Sequence, residues 1–257
     1  MSLSVVDLSI LGPPLVAGFL VLVTHVPLGR QVLARGIIFL DLAIAQLAGL
    51  GAIAAHAAGW GGHPWQVQAA AVTTALLGAV GLHELERRWP HLQEALIGVL
   101  FVAAACVALL LLAGNPEGGE HLKELLVGQI LWVSFDRLWP VALLYAAVLA
   151  LWVPLHARLG RLAFYLLFAV TITASVQLVG VYLVFASLIL PALAGLGLSD
   201  GKGVVVGYVV GALGYGAGLL LSAVADLPSG PLIVCCLAAM GLLTAACRGW
   251  RPTAAAA

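Results

Sequence analysis

The residues of this chain whose types suit chemistry are few and scattered. Asp41 lies in the apolar run "GIIFLDLAIAQLAGLGAIAAHAAGW", Gly36 to Trp60. A carboxylate inside a bilayer is costly to keep and is by default a candidate for cation contact or proton relay. It also has a structural reading: Asp41 stands about a turn inside a helix starting near Gly36, where the positive helix end and Arg35 favour an acid. A second set comprises His56, His63, Glu117, Glu120 and His121. These types bind divalent cations when loops bring them together, and otherwise form solvated rims. The segment "HELERRWPHLQE" holds His83, Glu84, Glu86, Arg87, Arg88, His91 and Glu94, a mixture that reads as a solvated surface or docking contact rather than a metal site. Cys106, Cys235, Cys236 and Cys247 lie in apolar runs with neither C-x-x-C spacing nor a nearby histidine, which favours packing over metal or redox roles.

Several chemistries lack their residues. There is no G-x-S-x-G, no H-E-x-x-H and no G-x-x-x-x-G-K-[ST]. The expectation is a chain that is not an enzyme, binds no cofactor and takes any energy from a partner. Eleven basic and eleven acidic residues balance, and no basic stripe with interleaved aromatics is present, so nucleic acid is not an expected partner.

The elements that must position these groups follow from composition. Of 257 residues 63% are hydrophobic and 9% charged, far from the charged quarter of a soluble domain. Apolar runs near the roughly 20 residues needed to span hydrocarbon imply a polytopic all-α bundle of one domain, residues 1–257, in contact with lipid. The expected spans are Leu11 to Val26, Ile37 to Ala58, Trp65 to His83, Glu94 to Ala113, Leu138 to Leu155, Leu162 to Val179, Val181 to Leu196, Val204 to Ala225 and Leu232 to Cys247. The first run follows "MSLSVVDLSILGPP", which lacks Lys and Arg and so reads as a retained anchor, not a cleaved signal.

Arg30 and Arg35, Arg87 and Arg88, Arg158 and Arg161, Lys202, and Arg248 and Arg251 mark cytoplasmic connections by the positive-inside rule. "LKELLVGQILWVS", Leu122 to Ser134, is too short to cross, and parity holds if it enters and returns to the outer side as a re-entrant half-helix. The other reading is a short tilted helix at a subunit contact. Further on, "QLVGVYLVFASLILPALAG" combines a break at Gly180 with Pro191 inside an apolar helix, and its polar side chains are Gln177 and Ser187. Broken helices of this kind often flank transport sites.

Taken in order, "PLGRQVLARGIIFLDLAIAQLAGLG", "LERRWPHLQEALIGVLF", "LKELLVGQILWVS", "VQLVGVYLVFASLILPALAG" and "ADLPSGP" resemble the metal-uptake permeases of bacterial ATP-binding cassette importers, the zinc and manganese membrane subunits. The resemblance covers nearly the whole chain. It implies a type II importer-like permease of about eight or nine spans plus the short re-entrant helix. It also implies a multi-pass protein of the bacterial inner membrane, working as a homodimer with a cytoplasmic ATPase that binds ATP and an extracytoplasmic metal-binding protein. The cargo would be a divalent metal, zinc or manganese, moved by alternating access.

Carried onto this chain, the resemblance makes Asp41 a cation contact and His56, His63, Glu120 and His121 a handover set. Gln46, Gln177, Ser187 and Pro191 become pathway residues, and Arg158, Gly160 and Arg161, aided by Arg87 and Arg88, an ATPase contact. Two departures stand out. The family's D-x-x-x-H in the second helix places both ligands on one face, but here the histidine position is Ala45, and Gln46 would point some 140° away from Asp41. The coupling segment "WVPLHARLGRLAF", Trp152 to Phe164, is also short, leaving "LHARLG" to stand for a coupling helix. Alternatives are an importer of a non-metal or chelated metal, a stand-alone channel or proton-coupled carrier with Asp41 as relay, and a structural membrane protein.

Overall fold

The computed structural model describes residues 8–113 and 118–248. Within them the chain is helical because hydrocarbon offers no partners for backbone N–H and C=O groups, and a helix satisfies them internally. The order is α1 (Leu8–Arg35), α2 (Leu40–Ala57), α3 (Pro64–Arg88), α4 (Gln93–Leu112), α5 (Gly118–Val127), α6 (Phe135–Leu159), α7 (Arg161–Val179), α8 (Val181–Ala194), α9 (Asp200–Ala225) and α10 (Ser229–Cys247). Eight are long and apolar enough to span a bilayer; α5, with 10 residues, and α8, with 14, are not. At about 1.5 Å per residue they reach roughly 15 and 21 Å against about 30 Å of hydrocarbon.

The most enclosed spans are α7 and α2, and α4, α6 and α10 are among the least. Enclosure of α7 forces its hydroxyls to find partners within protein. Thr171, Thr173 and Ser175 donate to the carbonyls of Leu167, Ala169 and Thr171 at 2.8, 2.8 and 2.7 Å. Tyr145 of α6 meets Ser175 Oγ at 2.6 Å, tying the two helices.

Bonds among helix ends fix which ends lie together. Arg30 of α1 reaches Asp200 at 2.7 Å and Gly195 O at 3.4 Å. Arg248 donates to Ala194 O and to Leu196 O, Arg161 of α7 to Glu86 of α3, and Phe39 N to Glu94 of α4. This end therefore collects Arg30, Arg35, Arg87, Arg88, Arg158, Arg161, Lys202 and Arg248, whereas the other end carries Lys123 and Arg137. The imbalance makes the first end cytoplasmic.

Several boundaries differ from expectation. The expected span Val181 to Leu196 is α8, too short to cross with its 14 residues, and α3, α6 and α9 extend beyond the runs expected for them. The first span runs through Pro27 to Arg35 rather than stopping at Val26, because a helix can carry arginine past the hydrocarbon edge without becoming a loop. The short outer segment is helical over Gly118–Val127 and breaks at Gly128, earlier than Leu122 to Ser134 suggests; a single 3-10 turn, Ile130–Trp132, leads to α6. The connection Trp152 to Phe164 holds no separate coupling helix: α6 continues to Leu159 and α7 starts at Arg161, with only Gly160 between.

The break at Gly128 and the break at Gly180 meet. Gly128 has φ +69° and Gly180 φ +83°, a region that L side chains rarely adopt. A Cβ on Gly128 would stand 2.2 Å from Val179 O, and one on Gly180 2.4 Å from Gly128 N. The half-length α5 thus ends, backbone against backbone, on the junction between α7 and α8.

Ser187 sits in α8, fully buried, with its hydroxyl donated to Leu183 O at 2.6 Å and 2.7 Å from Tyr215 OH of α9. That is an interhelical tie, a structural role beside the pathway-lining one expected of it. Ser187→Ala should lower thermal stability in detergent by about 0.6 kcal/mol, the average for such membrane bonds, and leave transport unchanged. A selective loss of transport at normal stability would place Ser187 in the pathway as well.

Candidate functional site

Asp41 occupies the first turn of α2 and is 1% exposed; no side chain donates to its carboxylate, and the donors beside it are the backbone N–H groups of Asp41 and Leu42 at the start of the helix. Arg35, expected to help it, forms no ion pair with it among the described residues. Its guanidinium lies over the Phe164 ring, 3.8 Å from the centroid. What remains to Asp41 is the positive end of its helix. A carboxylate held this way offers lone pairs to an arriving cation with no side-chain donor competing for them.

Ala45, one turn on and 1% exposed, shares the face of Asp41 and brings no ligand. The helix runs without a bulge from Leu40 to Ala57, so Gln46 does point elsewhere. It lines a largely apolar cavity of about 640 Å³ with Leu42, Phe101, Tyr182, Phe185 and Cys235. Pro191 is buried in α8, and its carbonyl accepts from Gly195 N at 3.3 Å.

A second cavity, about 410 Å³, opens at the outer end between α2, α5 and α7. Its polar lining is His56, Glu124, Gln129, Arg137, Thr173 and Gln177. The Nδ1 of His56 donates to Ala52 O at 2.9 Å, and Gln129 donates to Glu124 at 2.8 Å. Of the residues read for handover, His56 lies in this cavity. His63 is exposed at the start of α3 and Glu120 exposed in the first turn of α5. Glu117 and the side chain of His121 lie outside the described residues. Among the described residues no three His, Cys, Asp or Glu come together as a metal-holding group. Glu124, Arg137 and Thr173 carry no common signal in the sequence: they belong to α5, α6 and α7, and only the fold brings them to one cavity.

At the cytoplasmic end, residues 156–161 form an exposed corner containing Arg158, Gly160 and Arg161. Arg87 and Arg88 are also exposed, and both bond Glu84, at 3.1 and 2.9 Å. The segment from His83 to Glu94 is not one solvated loop, however. His83 and Glu86 are 16% and 11% exposed and face the bundle, because they continue the buried stripe of Ala75, Ala79 and Leu82 at helical spacing.

Eight potential spans among the described residues, with two half-length helices meeting at paired glycines, define a polytopic membrane protein. The family model described as the ABC 3 transport family matches residues 7–159 and 153–248, and the chain belongs to that family. It is similar to the manganese transport system membrane protein MntC of Halalkalibacterium halodurans, 26% identical over 185 residues, covering 64% of this chain and 63% of that protein. It is 29% identical over 126 residues to a probable iron transport system membrane protein of Haemophilus influenzae, covering 42% and 46%. It is 26% identical over 164 residues to an uncharacterized membrane protein of Cyanophora paradoxa, covering 55% of each. The chain thus spans about half to two thirds of the length of these relatives. Among solved structures, PsaBC from Streptococcus pneumoniae in complex with Fab superposes with a TM-score of 0.71 at 21% identity, covering 92% of this chain and 91% of that one, a likeness of fold.

Proposed function

We propose that this chain is the membrane permease of an ATP-driven importer and that it passes a divalent transition-metal cation, manganese or zinc, through the inner membrane. The observation that carries this reading is Asp41: a buried acid with no side-chain partner is poorly explained as packing and well explained as a cation contact. Family membership and the relatives' printed roles in manganese and iron transport support it. On this reading two copies of the chain work with a cytoplasmic ATPase and an extracytoplasmic metal-binding protein. The outer cavity receives cargo and the 156–161 corner meets the ATPase. The missing histidine leaves Asp41 to be completed by a ligand from another helix, by the second copy or by water.

Proteoliposomes containing the chain, its ATPase partner and the binding protein decide the matter. ATP-dependent accumulation of radioactive manganese or zinc is expected. Flux of either ion without ATP would favour a channel, and an intact complex that moves neither would overturn the reading. Charge reversal at the corner is a second check: Arg158→Glu should weaken copurification of the ATPase or its stimulation by loaded binding protein at least several-fold. If both are unchanged, the corner is not the contact.

A further inference from the structure

Between the exposed corner and Asp41 stands a compact set of contacts that packing alone does not require. Gly160 is the whole connection between α6 and α7, its N–H held by His156 O at 2.9 Å and its carbonyl by Ala163 N at 3.2 Å. The first turn of α7 then touches four other helices. Arg161 donates to Glu86 Oε1 of α3 at 3.1 Å. Phe164 packs edge-on against Trp152 of α6 at 6.3 Å and lies under the Arg35 guanidinium that ends α1. Tyr165, fully buried, accepts from Gln93 Nε2 of α4 at 2.6 Å and stands 5.5 Å from the His83 ring of α3.

Two of these paths converge on the same place. Arg35 is followed directly by the turn Gly36 to Phe39 that begins α2, and Gln93 is followed by Glu94, whose carboxylate accepts from Phe39 N–H at 3.4 Å. Asp41 is in the next helical turn. Glu86 is shared among three neighbours: Arg161 on Oε1, His83 Nδ1 at 3.8 Å from Oε2, and the Tyr165 hydroxyl beside the same carboxylate. A mostly buried acid held by several polar groups on different helices suits a tie that changes partners when those helices shift.

We propose that Glu86, Phe164 and Tyr165 are positioning residues that carry displacement of the 156–161 corner to the turn preceding Asp41, with Glu86–Arg161 as the tie. This role presupposes the importer reading. A rigid set of contacts with two arrangements is what coupling between distant sites needs, and a double-mutant cycle is its test.

The complete complex is compared in proteoliposomes with Glu86→Arg, Arg161→Glu and the swapped double variant, together with the milder Glu86→Gln and Tyr165→Phe. Glu86→Arg should keep ATPase copurification and basal hydrolysis but lose stimulation by loaded binding protein, and metal uptake, at least roughly tenfold. Arg161→Glu, which also alters the corner itself, should lose stimulation and uptake at least as far, with the swap recovering most of both. Glu86→Gln should show the same split more weakly, and because it preserves shape it guards against misfolding of the reversals. Tyr165→Phe should lower stimulated hydrolysis without changing basal hydrolysis. Singles that behave as the parent, or a monodisperse swap that recovers nothing, overturn the tie. A parent complex that moves no metal overturns the importer reading instead. Hydrogen exchange then tests the relay itself: ATPase binding should change protection at residues 36–40 in the parent and not in Glu86→Gln, and equal responses overturn it.

Discussion

Replacing Asp41 with Asn should reduce metal uptake by at least roughly tenfold while making the protein more stable. Loss of a ligand or its support commonly costs ten- to hundredfold in metal affinity. The stability gain follows from the other side of the same fact. A carboxylate buried with no cationic or side-chain partner is only partly compensated by the helix start, and a neutral amide of equal size relieves part of that burden. A gain of about 1 kcal/mol would appear as roughly 2–4 °C in a thermal-shift measurement on detergent-solubilised protein. Normal uptake at normal protein levels would remove Asp41 from the cargo path. Lower stability with lost uptake would make it a structural residue whose loss disrupts the bundle.

The second large effect is expected at the crossing of Gly128 and Gly180. Gly180→Ala should cost roughly 3 kcal/mol or more. Its backbone, φ +83° and ψ 162°, lies in a region nearly exclusive to glycine, worth about 1–3 kcal/mol in strain. The added Cβ would also stand 2.4 Å from Gly128 N, a clash with backbone that no rotamer relieves, worth about 1–3 kcal/mol. Gly36 provides the control: its φ is +69° but nothing lies within 4 Å of an added Cβ. Gly36→Ala should therefore cost about 1–2 kcal/mol of conformational strain alone. Expression level and thermal inactivation of the two variants check the difference, and equal losses would mean that the close approach contributes nothing.

Much of the fold was legible because the signals that encode it are one-dimensional. Long apolar runs fix which segments are spans, and the arginines that fix orientation are bonded to one another's helix ends, as Arg30 with Asp200 and Arg161 with Glu86 show. Gly180 and the short outer helix were also readable, since a half-length element or an interrupting glycine stands out against uniform hydrophobicity. Their meeting was not, because nothing in either sequence names its partner. Facing was harder still. Helices apolar all round carry no polar side to mark solvent, so the sequence does not show that the Ser187 hydroxyl lies between Leu183 and Tyr215. An error of facing befell His83 and Glu86, whose charge suggested water although their spacing from Leu82 and Ala79 placed them inward. At Asp41 the burden of burial was apparent from sequence, but the supposed help from Arg35 was not realised, because the guanidinium is engaged by an aromatic face instead.

The single residue Gly160 between α6 and α7 sets the compliance of the cytoplasmic end. A long loop at such a place behaves as a soft spring and dissipates small displacements as its own fluctuation, so a driving subunit must move far before anything beyond it responds. Here the two helices are joined with almost no slack, and the first turn beyond the joint is already gripped by four neighbours. Such a joint trades amplitude for fidelity: strokes of an ångström or so would arrive undiminished, and thermal motion of the corner would be transmitted inward just as faithfully.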